Sequence, residues 1–286
     1  MEHIRLPGNG LEPALMGAGI DYVRLTSRAG DENEHTLWVY QQAAIEILAA
    51  VDGEAPDSSS WGAMGYSGRS YGPIQCGVSP QGLIFQASGW AADQARALDL
   101  PWSNCSRVDV QITAWYEASN VEQIRVWANR AHSYARARGA SGRMVRLVEG
   151  YERGCTAYIG SRRSDCFIRI YDKSGESGGS GEYENAIRFE VEYKGDRAGQ
   201  VWEAFGSPTA SQDAMAELVS EEVRRAGLVV PGLHTGKYTL RPTAQVVRPT
   251  NAGRLSWLEH QVSGTVKRLL SAGYKKAYLR SILGLD

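Results

Sequence analysis

Three segments with the alternation of β-strands carry polar side chains of an unusual kind on one face. Because successive side chains of a strand point to opposite faces, alternation separates an apolar from a polar set. In residues 107–113, 167–173 and 187–194 the polar set comprises Arg107, Asp109, Gln111, Arg169, Tyr171, Lys173, Arg188, Glu190, Glu192 and Lys194. A sheet with one solvated face also shows alternating charge, so periodicity alone leaves a structural and a functional interpretation open.

The residue types on this predicted face favour phosphoryl transfer. Asp109, Glu190 and Glu192 offer the oxygen ligands that Mg²⁺ or Mn²⁺ prefers. Such a cation polarises a scissile phosphate, and nearby arginines and lysines stabilise the charge that develops on it. A tyrosine on a third strand would complete the site.

The elements around these strands predict an α+β fold with a largely antiparallel central sheet and helices packed on one face. Hairpins are mixed with helices, and strict strand-helix alternation is missing. Pro80 and Gly82 suit a type I turn between two short strands. Helical spacing runs through residues 37–51, a capping box at Ser119 and Glu122 begins a basic helix, and Asp196 opens another.

Charge and composition divide the chain after residue 205. The net charge is −1, but from Gly206 onward eleven Lys and Arg face six Asp and Glu, which leaves the first 205 residues at −6. Helices are predicted at 210–226, 255–270 and 274–285. We therefore predict a catalytic domain at 1–205 and a mainly helical C-terminal region at 206–286.

The composition argues against a membrane or secreted protein. No apolar run reaches the roughly 18 residues that span a bilayer, and the first residues lack the layout of a signal peptide. The four cysteines show no C-x-x-C spacing, as expected of buried thiols in a reducing compartment. We expect a cytoplasmic protein with no membrane partner.

The string TAYIGSRRSDCFIRIYDKSGE, residues 156–176, resembles the signature of the Rep_trans family of replication initiators and related relaxases. That signature is approximately Y-x-G-S-R-x-S-D-x-x-x-R-x-Y-x-K. The segments GLIFQASGWAA, CSRVDVQIT, AIRFEVEYKGDRA and WLEHQV resemble further family segments in the expected order. The resemblance implies a rolling-circle replication initiator or conjugative nickase, which cuts one DNA strand with a tyrosine and stays attached to the new 5′ end.

The resemblance also implies roles for individual residues. Tyr171 becomes the nucleophile, with Tyr158 in reserve, and Lys173 and Arg188 become its catalytic partners. A phenol has a pKa of about 10, so positive charge or a base is needed near neutrality. The remaining implied roles are a Mg²⁺ or Mn²⁺ site at Asp109, Glu190 and Glu192, and DNA contacts at Arg107, Ser161, Arg162, Arg163 and Arg169.

Two departures and two alternatives accompany this interpretation. Thr113 stands where family members often carry a second Asp, and the His-hydrophobic-His motif of other nickases is absent. The expected partners are DNA, as an origin hairpin and a single-stranded nick site, a host helicase and, in a homodimer, a second copy of the chain. The alternatives are a non-catalytic origin-binding protein on the same fold and a metal-dependent nuclease that uses water.

Overall fold

The computed structural model describes residues 4–5, 15–28, 33–52, 57–98, 100–117, 121–138, 145–150, 154–177, 181–230, 232–233, 240, 270–271, 273 and 275. The strands are β1 (Ile4–Arg5), β2 (Leu15–Arg28), β3 (Ser59–Ala63), β4 (Tyr66–Tyr71), β5 (Ile74–Ser79), β6 (Gly82–Ser88), β7 (Asn104–Trp115), β8 (Val145–Gly150), β9 (Gly154–Ile159), β10 (Cys166–Asp172) and β11 (Ala186–Lys194). The helices are α1 (Asn33–Asp52), α2 (Trp90–Gln94), α3 (Val121–Ala137), α4 (Lys173–Glu176), α5 (Asp196–Phe205) and α6 (Gln212–Arg225).

All the described strands belong to one antiparallel sheet. Its order is β3-β4-β5-β6-β2-β7-β11-β10-β9-β8, and β1 pairs with β2 outside this path. The strands that carry the predicted chemistry, β7, β11 and β10, are therefore direct neighbours. This arrangement confirms the predicted α+β class with a largely antiparallel sheet.

The hydrophobic core lies between the sheet and the helices on one of its faces. The predicted apolar sides of the central strands all point there, as the burial of Val110, Ile170 and Val191 shows. Trp127 of α3 packs against Phe189 of β11, with ring centroids 5.3 Å apart. The other face of these strands carries the polar residues, and we call it the polar face.

Helix α6 is an integral part of this core. Its buried apolar side chains include Met215, Leu218, Val219 and Val223. The chain divides into two compact units, Met1–Arg241 and Pro242–Asp286, so the predicted division after residue 205 falls inside the first unit. The predicted helices at 255–270 and 274–285 lie almost entirely outside the described residues. That the rest of residues 206–286 is mainly helical stays a prediction.

Several local predictions can be compared with the structure. The hairpin through Pro80 is confirmed, because two residues join β5 to β6 and Ser79 of β5 pairs with Gly82 of β6. The stretch before it forms the further hairpin β3-β4, which its polar sequence did not reveal. The predicted continuation of β10 to Lys173 is wrong, because the strand ends at Asp172 and Lys173 begins α4.

None of the helices that the structure describes combines the length and the apolar character needed to traverse a lipid bilayer.

Candidate active site

Cross-strand register brings the predicted site residues together in rows on the polar face. Residues directly opposite in an antiparallel pair have Cβ atoms roughly 4.5–5.5 Å apart, so each row is a set of neighbours. Across β10, β11 and β7 the rows are Tyr171, Arg188 and Thr113; then Arg169, Glu190 and Gln111; then Phe167, Glu192 and Asp109. The phenol, the acids and the arginines therefore share one surface, as predicted.

Burial separates this surface from an ordinary solvated sheet face. The side chains of Asp109 and Glu190 are each only 1% exposed. Thr113 and Arg188 are also buried. A charged group removed from water needs a partner of opposite charge or hydrogen bonds, so this face requires internal pairing.

Two arginines supply that pairing by bridging neighbouring carboxylates. The Nη2 atom of Arg169 donates to Asp109 Oδ2 at 2.7 Å and also to Glu190 Oε1. The Nη2 atom of Arg107 lies 2.5 Å from Asp109 Oδ2 and 3.0 Å from Glu192 Oε2. We call Asp109, Glu190 and Glu192 the carboxylate cluster. Asp109 therefore shares one guanidinium nitrogen with Glu190 and another with Glu192.

The structure adds an acid that sequence reasoning missed, Asp21. It accepts a hydrogen bond from Arg188 Nη1 at 2.7 Å. The register of β2 against β7 shifts between Ile20 and Tyr22, which makes Asp21 the extra residue of a β-bulge. The signal was present in the sequence, because the core residues Ile20 and Val23 are three positions apart and regular alternation cannot bury both.

Tyr171 lies on the polar face, outside the contiguous hydrophobic core, but it is only 8% exposed. Burial raises the pKa of its phenol well above the usual value, and the charge of Glu190 raises it further. Arg188 acts in the opposite direction. Burial also raises the pKa of Glu190, against the opposing effect of Arg169. Arg188 is thus the group placed to favour a phenolate at Tyr171.

Tyr158, the reserve nucleophile, belongs to an aromatic and basic patch beside the carboxylate cluster. Its ring stacks on Phe167 with centroids 5.8 Å apart. The guanidinium carbons of Arg146 and Arg162 lie 4.9 Å and 5.7 Å from the ring centroid of Tyr158. Arg162 and Arg163 are exposed, as predicted DNA contacts must be.

Ser161 and Lys173 lie apart from the carboxylate cluster. Ser161 lines a cavity of about 280 Å³ that also contacts Arg197 of α5 and Glu222 of α6, on the helix side of the sheet. Lys173 Nζ lies 2.5 Å from Glu176 Oε2 and 5.3 Å from the ring centroid of Tyr183. These two residues therefore do not belong to the cross-strand rows that contain Tyr171 and Arg188.

The predicted metal site has suitable donors but not an open arrangement. Within the part of the chain that the structure describes, no three Asp, Glu, His or Cys side chains are grouped so as to hold a metal ion. The carboxylate cluster provides hard oxygen ligands, which match Mg²⁺ or Mn²⁺. A cation at Asp109 and Glu190 would have to displace the guanidinium that bridges them.

Comparison with known proteins assigns the family. Residues 103–283, more than half of the chain, match the family model described as replication initiation factor. The chain belongs to this family, Rep_trans. The match includes all three strands that carry the polar-face rows. No curated protein matches this chain.

A solved structure is similar to this chain in fold. It is a rolling circle replication initiator protein from Geobacillus stearothermophilus, which is 17% identical in sequence. The alignment covers 73% of this chain and 84% of that chain, with a TM-score of 0.50. At this identity the likeness concerns the fold alone.

Proposed function

We propose that this chain initiates rolling-circle replication by nicking one DNA strand, with Tyr171 as the nucleophile. Its phenol loses a proton, and its oxygen attacks the phosphorus of a phosphodiester. The bond from phosphorus to the 3′ oxygen breaks, that oxygen takes up a proton, and the 5′ phosphate stays on the tyrosine. The ester conserves the bond energy, so the reverse reaction can rejoin strands.

The register of the polar face is the observation that carries this proposal. Tyr171 lies opposite Arg188 and one row from Arg169 and Glu190. Arg188 would favour the phenolate, and Arg169 and Arg107 would bind the phosphate. Guanidinium groups suit this task because they form bidentate hydrogen bonds to phosphate oxygens.

A divalent cation, Mg²⁺ or Mn²⁺, is part of the proposal. Asp109, Glu190 and Glu192 would hold it, and when bound it would polarise the scissile phosphate. Arg162, Arg163 and Ser161 would contact the DNA backbone around the nick site. Lys173 remains a proposed catalytic partner, placed on α4.

Covalent capture of labelled DNA tests the nucleophile. The substrate is a single-stranded, origin-like oligonucleotide with a 3′ label, because the label must lie on the strand that stays bound to the tyrosine. With Mn²⁺ present, the wild type should carry the label in a denaturing gel. Tyr171→Phe should form no detectable adduct, whereas the matched variant Tyr158→Phe should retain it.

Each other outcome identifies a different function. An undiminished adduct in Tyr171→Phe would move the nucleophile to Tyr158 or elsewhere. Cleavage without an adduct would indicate a nuclease that uses water. Binding without cleavage would indicate a non-catalytic origin-binding protein.

The wider setting follows from this function. We propose that the protein works in the cytoplasm, with a host helicase to unwind the nicked duplex and residues 206–286 helping to recognise the origin or a second copy of the chain.

A further inference from the structure

We infer that Arg169 is an exchangeable counter-ion, which neutralises the carboxylate cluster in the DNA-free protein and passes to a DNA phosphate on binding. As a result, DNA and a divalent cation bind with positive cooperativity. This inference rests on the proposed DNA-nicking function and concerns how its site is assembled.

The two bridging arginines are held to different extents. Arg107 donates to both oxygens of Asp109, from Nε at 2.8 Å and from Nη2 at 2.5 Å. Its guanidinium also stacks on Tyr22, 4.3 Å from the ring centroid. Arg169 bonds both of its carboxylates through the single atom Nη2. Arg107 would therefore contact a phosphate while it stays on Asp109, and Arg169 is the partner that can leave.

Arg169 is also incompletely satisfied where it lies. Its Nε atom is buried and has no hydrogen-bond partner among the described residues. A buried donor without an acceptor is unfavourable, and a phosphate oxygen would provide one. The side chain of Arg169 is 26% exposed, whereas Glu190 beneath it is 1% exposed. A phosphate can therefore reach the arginine before anything reaches the acid.

The departure of Arg169 would leave one acid of the carboxylate cluster, Glu190, without a cationic partner in the described part of the chain. Asp109 keeps Arg107, and Glu192 keeps both Arg107 and Lys194. Arg169 is the one ion-pair partner of Glu190 that the described structure contains. Leaving a buried carboxylate without a cation is strongly unfavourable, so phosphate binding alone is opposed.

A divalent cation would neutralise Glu190 in place of Arg169. A DNA phosphate would in turn draw Arg169 away from the position that the cation needs. Each ligand makes room for the other at Glu190, so each should strengthen the binding of the other. Linkage requires the two effects on affinity to be equal. We expect a factor of roughly ten, within the range usual for coupled sites.

Binding of Mn²⁺ to the full chain tests the coupling directly. Free Mn²⁺ is followed by electron paramagnetic resonance during titration, with and without a saturating single-stranded oligonucleotide. Tyr171→Phe is the background in both arms, so that the DNA stays intact. The dissociation constant for Mn²⁺ should fall about tenfold when DNA is present. Fluorescence anisotropy of the oligonucleotide should show the same factor when Mn²⁺ is added.

Arg169→Met identifies the residue responsible. Without DNA it should bind Mn²⁺ about tenfold more tightly than the background protein, because the bridge is gone, and DNA should then change the affinity less than about twofold. Arg162→Met is the matched control, since Arg162 is exposed and makes no ion pair with the carboxylate cluster. It should weaken DNA binding but keep the DNA-free affinity for Mn²⁺.

Equal Mn²⁺ affinity with and without DNA in the background protein would overturn the inference, whether or not Arg169→Met folds. An unchanged DNA-free affinity in folded Arg169→Met would overturn it as well. The covalent adduct is measured separately in the wild type. Coupling without an adduct would refute the proposed nickase alone, and an adduct without coupling would refute this inference alone.

Discussion

The hydroxyl of Thr113 serves two neighbours on the polar face. It accepts a hydrogen bond from Arg188 Nε at 2.9 Å and donates one to Gln111 Oε1 at 2.8 Å. Thr113→Val keeps the shape but leaves a buried guanidinium nitrogen without its acceptor, so we expect a loss of about 1–3 kcal/mol in the free energy of unfolding. Denaturant-induced unfolding measures this loss.

Thr26→Val is the control for that substitution. Thr26 is also on a strand, and its hydroxyl donates to the Asn104 carbonyl at 3.2 Å in an exposed position. Its replacement should cost less than about 0.5 kcal/mol. Equal losses in the two variants would show that Arg188 does not depend on Thr113.

Single residues of the site were predictable wherever strict alternation held. Asp109, Tyr171 and Glu190 were assigned to one face because a period of two leaves no other choice. Asp21 was not assigned, because a bulge interrupts the alternation at that point. The pairing of each carboxylate with its arginine was also beyond prediction, since it depends on which strands are neighbours.

At the scale of elements, predictability followed the strength of the local pattern. The alternating segment 187–194 lies within β11, Ala186–Lys194, and ends at the same residue. Strands β3 and β4 were missed because their sequences, SSWGA and YSGRSY, have no apolar face. Gly68 allows β4 to pair closely with β5, because a Cβ there would lie 2.1 Å from the carbonyl oxygen of Cys76 in β5. Local alternation cannot predict that β11 lies between β7 and β10, because strand order depends on contacts between distant parts of the chain.

The C-terminal end of α6 offers an element-scale prediction. Gly227 has φ +87°, and a Cβ there would lie 2.2 Å from Cγ of Tyr134. Gly227→Ala adds both backbone strain and a steric clash, so we expect a loss of about 2 kcal/mol or more. Thermal unfolding monitored by circular dichroism measures it.

Gly199→Ala is the matched control. Gly199 lies within α5, and a Cβ there would meet no atom within 4 Å. Alanine should stabilise the helix by about 0.5–1 kcal/mol. If Gly227→Ala were equally harmless, the contact between α6 and Tyr134 of α3 would not matter for stability.

In the whole molecule, one face of the sheet packs into the hydrophobic core and the other carries the candidate active site. Along β10, Ile168 and Ile170 point into the core, while Arg169 and Tyr171 point to the polar face. A substitution can therefore change one property while sparing the other, as Tyr171→Phe is expected to do. The family resemblance and the fold could be predicted together, because both depend on the alternating sequences of these strands.

The compact unit Met1–Arg241 yields a prediction about truncation. Removing everything after Phe205 deletes α6 and with it Met215, Leu218, Val219 and Val223 from the core. At about 1.5–3 kcal/mol for each buried side chain, the loss is comparable with the roughly 5–15 kcal/mol that stabilises a typical domain. A chain of residues 1–205 should therefore lack a cooperative thermal transition, whereas residues 1–241 should retain one. A cooperative transition of 1–205 at the melting temperature of the full chain would instead place the domain boundary at residue 205 and make α6 dispensable.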